Sequence, residues 1–143
     1  MRVEFDGYVI SSDKSLLQLE RIYSWLGQSY WASHRPAETI KRSIESEASI
    51  CFGVYGGGNQ IGFARAVTDQ ATMYWLCDVW IDEAYRGRGV GKRFVDSIIQ
   101  SDELIHLSGF LGTADAHRLY EQHGFVKDSE RFMVRRPKHY KSP

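Results

Sequence analysis

Apolar residues recur at three- and four-residue steps at Leu16, Leu19, Ile22, Tyr23 and Leu26, which predicts an amphipathic helix capped by Ser12 or Asp13 and stopped by Gly27. A polar and aromatic connector, Gln28 to Arg35, leads to Pro36 and a second, shorter helix with Ile40 and Ile44 one turn apart. The period then changes to two. Ile50, Phe52 and Val54 alternate with Cys51, Gly53 and Tyr55, Gly56-Gly57-Gly58-Asn59 turns the chain, and Ile61, Phe63 and Val67 run against Gly62, Ala64 and Ala66. This pattern predicts a β-hairpin. Met73 to Ile81 is nearly all apolar and broken only by Asp78, as expected of a strand buried on both faces at the centre of a sheet. A glycine-rich loop follows, then a helix whose apolar face is Val90, Phe94, Val95, Ile98 and Ile99. The remaining expected elements are a short strand at Ile105 to Leu111, a helix from about Asp115 to His123 stopped by Gly124, and a last strand at Arg131 to Val134 ended by Pro137.

A chain of 143 residues fits one domain, residues 1–143, with no repeat, low-complexity tract or linker to divide it. Eighteen basic residues balance eighteen acidic ones, so no overall field draws the chain to nucleic acid or to an anionic membrane, and any charge-driven recognition is local. Glu4 and Asp6 interrupt the first residues, where a signal peptide would have its apolar core, and no apolar run is long enough for a membrane span. Cys51 and Cys77 form no Cys-x-x-Cys pair, which suggests neither a disulfide framework nor a zinc knuckle. The reducing cytoplasm is the expected location.

The chemistry concentrates after the long strand, in Arg86-Gly87-Arg88-Gly89-Val90-Gly91-Lys92. Alternate glycines let the backbone turn tightly and approach a ligand without a Cβ in the way. Because the loop opens a helix, its unpaired N–H groups and the positive end of the helix dipole converge where a phosphate or pyrophosphate would sit, and Arg86, Arg88, Lys92 and Arg93 add charge. Two familiar phosphate motifs fail by residue. A P-loop needs Gly at Arg86 and Ser or Thr at Arg93, and the dinucleotide fingerprint needs Gly at Lys92.

The segment Arg86-Gly87-Arg88-Gly89-Val90-Gly91 resembles the Gln/Arg-x-x-Gly-x-Gly/Ala signature of the GNAT superfamily of acyl-CoA-dependent N-acetyltransferases, and Tyr120-Glu121-Gln122-His123-Gly124-Phe125 resembles its later Tyr-x-x-x-Gly-Phe. The likeness covers nearly the whole chain in element order, with two helices, a hairpin, the long strand and two later β/α units. It implies an α/β fold of mixed α+β type, a mixed β-sheet splayed at its middle with helices on both faces. It further implies that acetyl-CoA enters at the splay, with its pantetheine arm on backbone groups of Val79, Trp80 and Ile81 and its pyrophosphate on the amides from Arg86 to Lys92, Val90 included. Thr113 stands where many members have an Asn that reaches CoA, and a hydroxyl has a shorter reach.

Acetyl transfer to an amine needs a neutral nucleophile, a stabilised oxyanion and a proton for the departing thiolate. The resemblance puts the Tyr120 hydroxyl by the CoA sulfur, and a phenol is protonated at neutral pH. Asp78 is the acid inside the long strand and a candidate base, on the face of Tyr74, Leu76 and Trp80 by strand alternation; a structural ion pair and a proton path through water are the alternatives. Tyr30 and Trp31 lie where the family's first two helices wall the acceptor site and could hold it by ring contact or serve as core lids. His117 and His123, six apart, do not suit a helical zinc pair, so no metal is expected. The basic tail Arg135 to Lys141 reads as solvated. The expected function is direct acetyl transfer from acetyl-CoA to a primary amine of a small molecule or peptide, with the acyl length, the acceptor and a homodimer left open. The alternative is a catalytically silent CoA-binding module of the same fold.

Overall fold

Asp6-Gly7 is a two-residue turn with both φ angles positive, 47° and 82°, and it folds the first residues into a hairpin of β1 (Arg2–Phe5) and β2 (Tyr8–Ser11). The computed structural model describes residues 1–138 and Tyr140. This hairpin is an addition to the expected elements, so two strands precede the helices. The chain continues through β3 (Ser49–Gly56), β4 (Asn59–Thr68), β5 (Met73–Ile81) and β6 (Ser108–Phe110). The six strands lie in the order β1-β2-β3-β4-β5-β6, antiparallel throughout except for the parallel pair β5–β6.

Helices cover both faces. On one, α1 (Leu19–Gln28) and α2 (Ala37–Glu45) bury Ile22, Trp25, Leu26, Ile40 and Ile44 against Cys51 and Phe63. On the other, α3 (Val90–Ile99) and α4 (His117–Glu121) pack Val90, Phe94, Val95, Ile98 and Tyr120 against Phe52, Val54, Ala64, Ala66 and Leu76. Neighbouring residues of β3, such as Cys51 and Phe52, enter opposite clusters, as the two-residue period requires.

Local competition shifts several boundaries. The first helix does not run from Ser12 or Asp13. Asp13 caps only a 3-10 turn, Lys14–Leu16, and the chain is extended at Leu17 because the Gln18 amide donates to the buried Gln60 side chain (2.7 Å) while the Gln60 amide donates back to Gln18 Oε1 (3.1 Å). Gly27 lies inside α1, which stops at Ser29. The strand expected from Ile105 is confined to Ser108–Phe110, since turns closed by the Leu104 and Leu107 amides precede it. The helix expected from Asp115 begins at His117 and ends before Gly124, where φ is 88°. Arg131 to Val134 forms no strand. β6 is too short to offer it a long ladder, Phe132 stacks instead on Trp75 at 6.1 Å, and Met133 is 93% exposed.

The separation within the sheet falls between β5 and β6. These strands pair only over Met73–Trp75 and Ser108–Phe110, so the second half of β5 keeps β4 on one edge and, among the described residues, has no strand on the other.

Candidate active site

A β-bulge shapes the middle of β5. Phe63 pairs with Trp80 and Arg65 with Cys77, so Asp78 and Val79 together oppose Ala64, and Asp78 takes up a φ of +56°. The extra residue inverts the strand's alternation. Tyr74 and Leu76 face α3, but beyond the bulge Val79 and Ile81 take that side and Trp80 turns toward α1 and α2. Asp78 therefore shares a face with Trp80 and opposes Tyr74 and Leu76, a correction to simple alternation. The Asp82 amide donates to Ile61 on β4, so by the same period the backbone groups of Val79 and Ile81 point away from β4, into the separation, and those of Trp80 point toward β4.

That separation opens into a cavity of about 1150 Å³. Val79, Trp80, Ile81, Arg86 and Gly91 line one end, Leu111 to Ala116 with Tyr120 the flank, and Tyr30, Trp31, His34 and Arg35 the far wall.

At the first end, Gly87 and Gly89 have φ of 78° and 79°, and a Cβ built on either would meet no atom within 4 Å. The left-handed backbone calls for glycine, and the open space above it leaves the loop accessible to a ligand. Gly89 caps α3, whose ten residues leave the first-turn amides of Val90, Gly91 and Lys92 facing outward. The basic side chains spread differently from their sequence clustering. Arg86 folds back, donating from Nε to the Ile81 carbonyl (2.9 Å) with its guanidinium 4.7 Å from the Trp80 ring centroid. Arg88 lies over Tyr85, and Arg93 turns away to Phe5.

On the flank, Tyr120 is buried on α4 with its ring edge against Phe125. Burial pushes its pKa up from 10.0 to about 12, helped by neighbouring Tyr30 and Asp115. The Thr113 hydroxyl accepts from the Ala116 amide at 3.0 Å and so is already used in shaping the loop before α4. The Ala114 amide donates to Tyr30 Oη at 2.8 Å, tying the connector to that loop.

The far wall is organised by Asp78, 3% exposed. Its Oδ1 accepts from Trp31 Nε1 and Arg35 Nη1, both at 3.0 Å, and its Oδ2 from Arg65 Nε at 3.0 Å and Arg35 Nη1 at 3.2 Å. Four donor contacts fill the lone pairs of a carboxylate. Arg65 is anchored in turn to Ser49 Oγ at 3.2 Å. Trp31 packs edge-on to Tyr30 at 5.0 Å and lies 6.1 Å from Trp80.

The structure thus brings Tyr30, Trp31, Asp78, the Val79–Ile81 segment, the glycine loop, Thr113 and Tyr120 to one cavity. Arg35 and Arg65 were missed by sequence reasoning, because the partners of Asp78 lie 43 and 13 residues away on other elements and no local spacing marks them. Cys77 was missed as well. It lines the cavity as a free thiol, and burial pushes its pKa up to about 12, so it carries little thiolate at neutral pH. Among the described residues no cluster of three His, Cys, Asp or Glu side chains could hold a metal, and no helix is long and apolar enough to cross a membrane.

Residues 47–127, more than half of the chain, match the family model described as an acetyltransferase (GNAT) domain. A Gibberella zeae protein named as an acetyltransferase is 32% identical over 105 residues, 59% of this chain and 58% of its own length, so the chain spans little over half of that relative. The spermine/spermidine N(1)-acetyltransferase of Bacillus subtilis is 32% identical over 91 residues, 54% of this chain and 60% of that protein. The crystal structure of a Xanthomonas campestris protein belonging to the GNAT family superposes with a TM-score of 0.86 at 34% identity, covering 94% of this chain and 96% of that one. With its splayed sheet, its glycine loop and a family match over most of the strand and helix core, the chain belongs to the GNAT family of acetyltransferases.

Proposed function

We propose that this chain, acting as one domain over residues 1–143, transfers an acetyl group from acetyl-CoA directly to a primary amine. The observation that carries this reading is the bulge at Asp78, which leaves the outward edge of Val79 and Ile81 without a strand partner and aims it, in line with the glycine cradle, into one cavity. A polar edge facing a cavity is a binding surface for an extended, amide-bearing ligand, by the logic of strand addition. The residues present fit acetyl-CoA. The Val79 and Ile81 backbone would hold the pantetheine arm, and the Gly87, Gly89, Gly91 and Lys92 amides with Arg88 would hold the pyrophosphate. Arg86 already occupies the Ile81 carbonyl, so its side chain must swing off if that oxygen is used.

Bound acetyl-CoA supplies an activated thioester, and the rest is done by side chains. Tyr120 remains protonated across the physiological range, because burial disfavours the phenolate, and its hydroxyl gives a proton to the departing sulfur. The new C–N bond replaces the C–S bond, the amine's proton leaves to water, and the Tyr120 phenolate takes a proton back from water. Asp78 takes no part in that removal. With its lone pairs filled by Trp31, Arg35 and Arg65 it is a positioning residue that fixes the acceptor wall.

Release of free thiol from acetyl-CoA in the presence of a panel of small amines tests this reading. Acceptor-dependent release is expected. Tight acetyl-CoA binding without release for any amine would favour a silent CoA-binding module of the same fold.

A further inference from the structure

We propose that the amine acceptor also carries a carboxylate, and that the guanidinium of Arg35 recognises it; this rests on the acetyltransferase reading and names its substrate class. The far wall holds two arginines and one aspartate, so it keeps a net charge of +1, being two positive charges less one. Asp78 is saturated and shielded, with its side chain 1% exposed, and offers nothing to an ammonium group. Arg35 has the opposite disposition. Only Nη1 is committed to Asp78, so Nε and Nη2 have no hydrogen-bond partner among the described residues, while the side chain is 27% exposed and lines the cavity.

A guanidinium clamped along one side and open along the other is preorganised for a planar carboxylate. Arg65, behind it and only 12% exposed, keeps the wall positive without itself lining the cavity. His34 and Arg136 also line the cavity. The remaining acid of the lining, Asp115, is exposed on the loop before α4, beside Tyr120, where the amine would react. The arrangement therefore suits a zwitterion, with its ammonium group toward Asp115 and its carboxylate toward Arg35. It opposes a polyamine, whose second ammonium would be set against Arg35.

The test uses L-amino acids, the primary amide of each, and spermidine, titrated calorimetrically into the protein with and without saturating CoA and assayed for thiol release from acetyl-CoA. Amino acids should bind and turn over at least tenfold more efficiently than their amides. Arg35→Gln should cut the preference for the amino acid over its amide about 10- to 100-fold, the worth of a charge-assisted pair, and leave the affinity for acetyl-CoA within about twofold. Should Arg35→Gln unfold because Asp78 loses a partner, Arg35→Lys keeps a charged donor for Asp78 but loses the planar fork on the cavity side, and must show a loss of preference in the same direction. Amides or spermidine binding as well as the amino acids, or Arg35→Gln weakening both kinds equally, overturns the proposal. A wild-type chain that binds amino acids through Arg35 but never binds acetyl-CoA would sustain the carboxylate site and sink the acetyltransferase reading instead.

Discussion

At the α3 end of the cavity the groups that face a ligand are main-chain amides, held out by Gly87 and Gly89 in left-handed conformations and exposed to solvent. At the connector end they are side chains, and their positions depend on one buried carboxylate bonded to three residues, two from the connector and one from β4. The two designs couple binding to stability differently. Amides at a helix start are present whenever the helix is, so that end can lose its ligand without losing the fold. The connector end cannot be altered without disturbing a buried charge cluster, so binding and folding change together there. Tyr120, on the flank between them, belongs to neither end, because its ring is core and its hydroxyl is the part proposed to supply a proton.

Tyr120→Phe gives the sharpest separation of the three. The ring and its contact with Phe125 stay, the proton donor goes, and turnover should fall about 10²- to 10⁴-fold with acetyl-CoA affinity nearly unchanged. Single-turnover kinetics and equilibrium binding on the one variant decide it; unchanged turnover where chemistry limits the rate would make Tyr120 purely structural. The pH profile adds a sign. A folded-state pKa near 12, above the ordinary 10.0, means the wild-type rate shows no fall from Tyr120 ionisation until pH approaches 12. Its contribution to stability is complete below pH 10 and is lost as pH rises from there through about 12, since the unfolded chain releases the proton first.

Asp78→Ala tests the coupled end. Arg35 and Arg65 would be left facing each other without their shared counter-charge, and unfolding in urea should show a loss of about 3–5 kcal/mol. A loss under about 1 kcal/mol would mean that the cluster does not organise the wall. Gly89→Leu tests the other end. Its side chain would occupy the open space above the loop and adopt a φ that L-residues disfavour, so acetyl-CoA affinity should drop about 100-fold or more while stability falls by only about 1–2 kcal/mol. Undiminished affinity in calorimetry would remove the loop from the site.

The same contrast explains what could be read before the structure. The glycine loop, the β3–β4 hairpin and the long apolar β5 are local patterns, and each lies within a few residues of where the periodicity puts it. The β1–β2 hairpin is equally local, with an Asp6-Gly7 turn, but its strands of four residues each carry only a weak alternation. The bulge was not legible. Nothing in Met73 to Ile81 says that an aspartate will take a positive φ, and that one dihedral moves Asp78 and Trp80 to the face opposite the one alternation assigns. Arg35 and Arg65 were illegible for the related reason that a buried acid chooses its partners in space. The segment from Arg131 to Val134 shows the converse, strand-forming residues for which the sheet supplies no neighbour.

Trp31 joins both kinds of design, and its truncation is the finest test of the comparison. Its indole N–H is one of the four contacts on Asp78, its ring packs between Tyr30 and Trp80, and its surface lines the cavity. It is only half-buried, so Trp31→Ala should cost less than the ~3–5 kcal/mol of a fully enclosed tryptophan. Its loss also loosens the wall that holds Arg35, so the KM of the acceptor should rise about tenfold, the low end for a hydrogen bond to a charged group, while the KM of acetyl-CoA stays within about twofold. Melting temperature and both Michaelis constants, measured on this one variant, separate the outcomes. A large fall in melting temperature with both KM values raised together would show that the two ends share one structural support, and the distinction between a backbone-built donor end and a side-chain-built acceptor end would then fail.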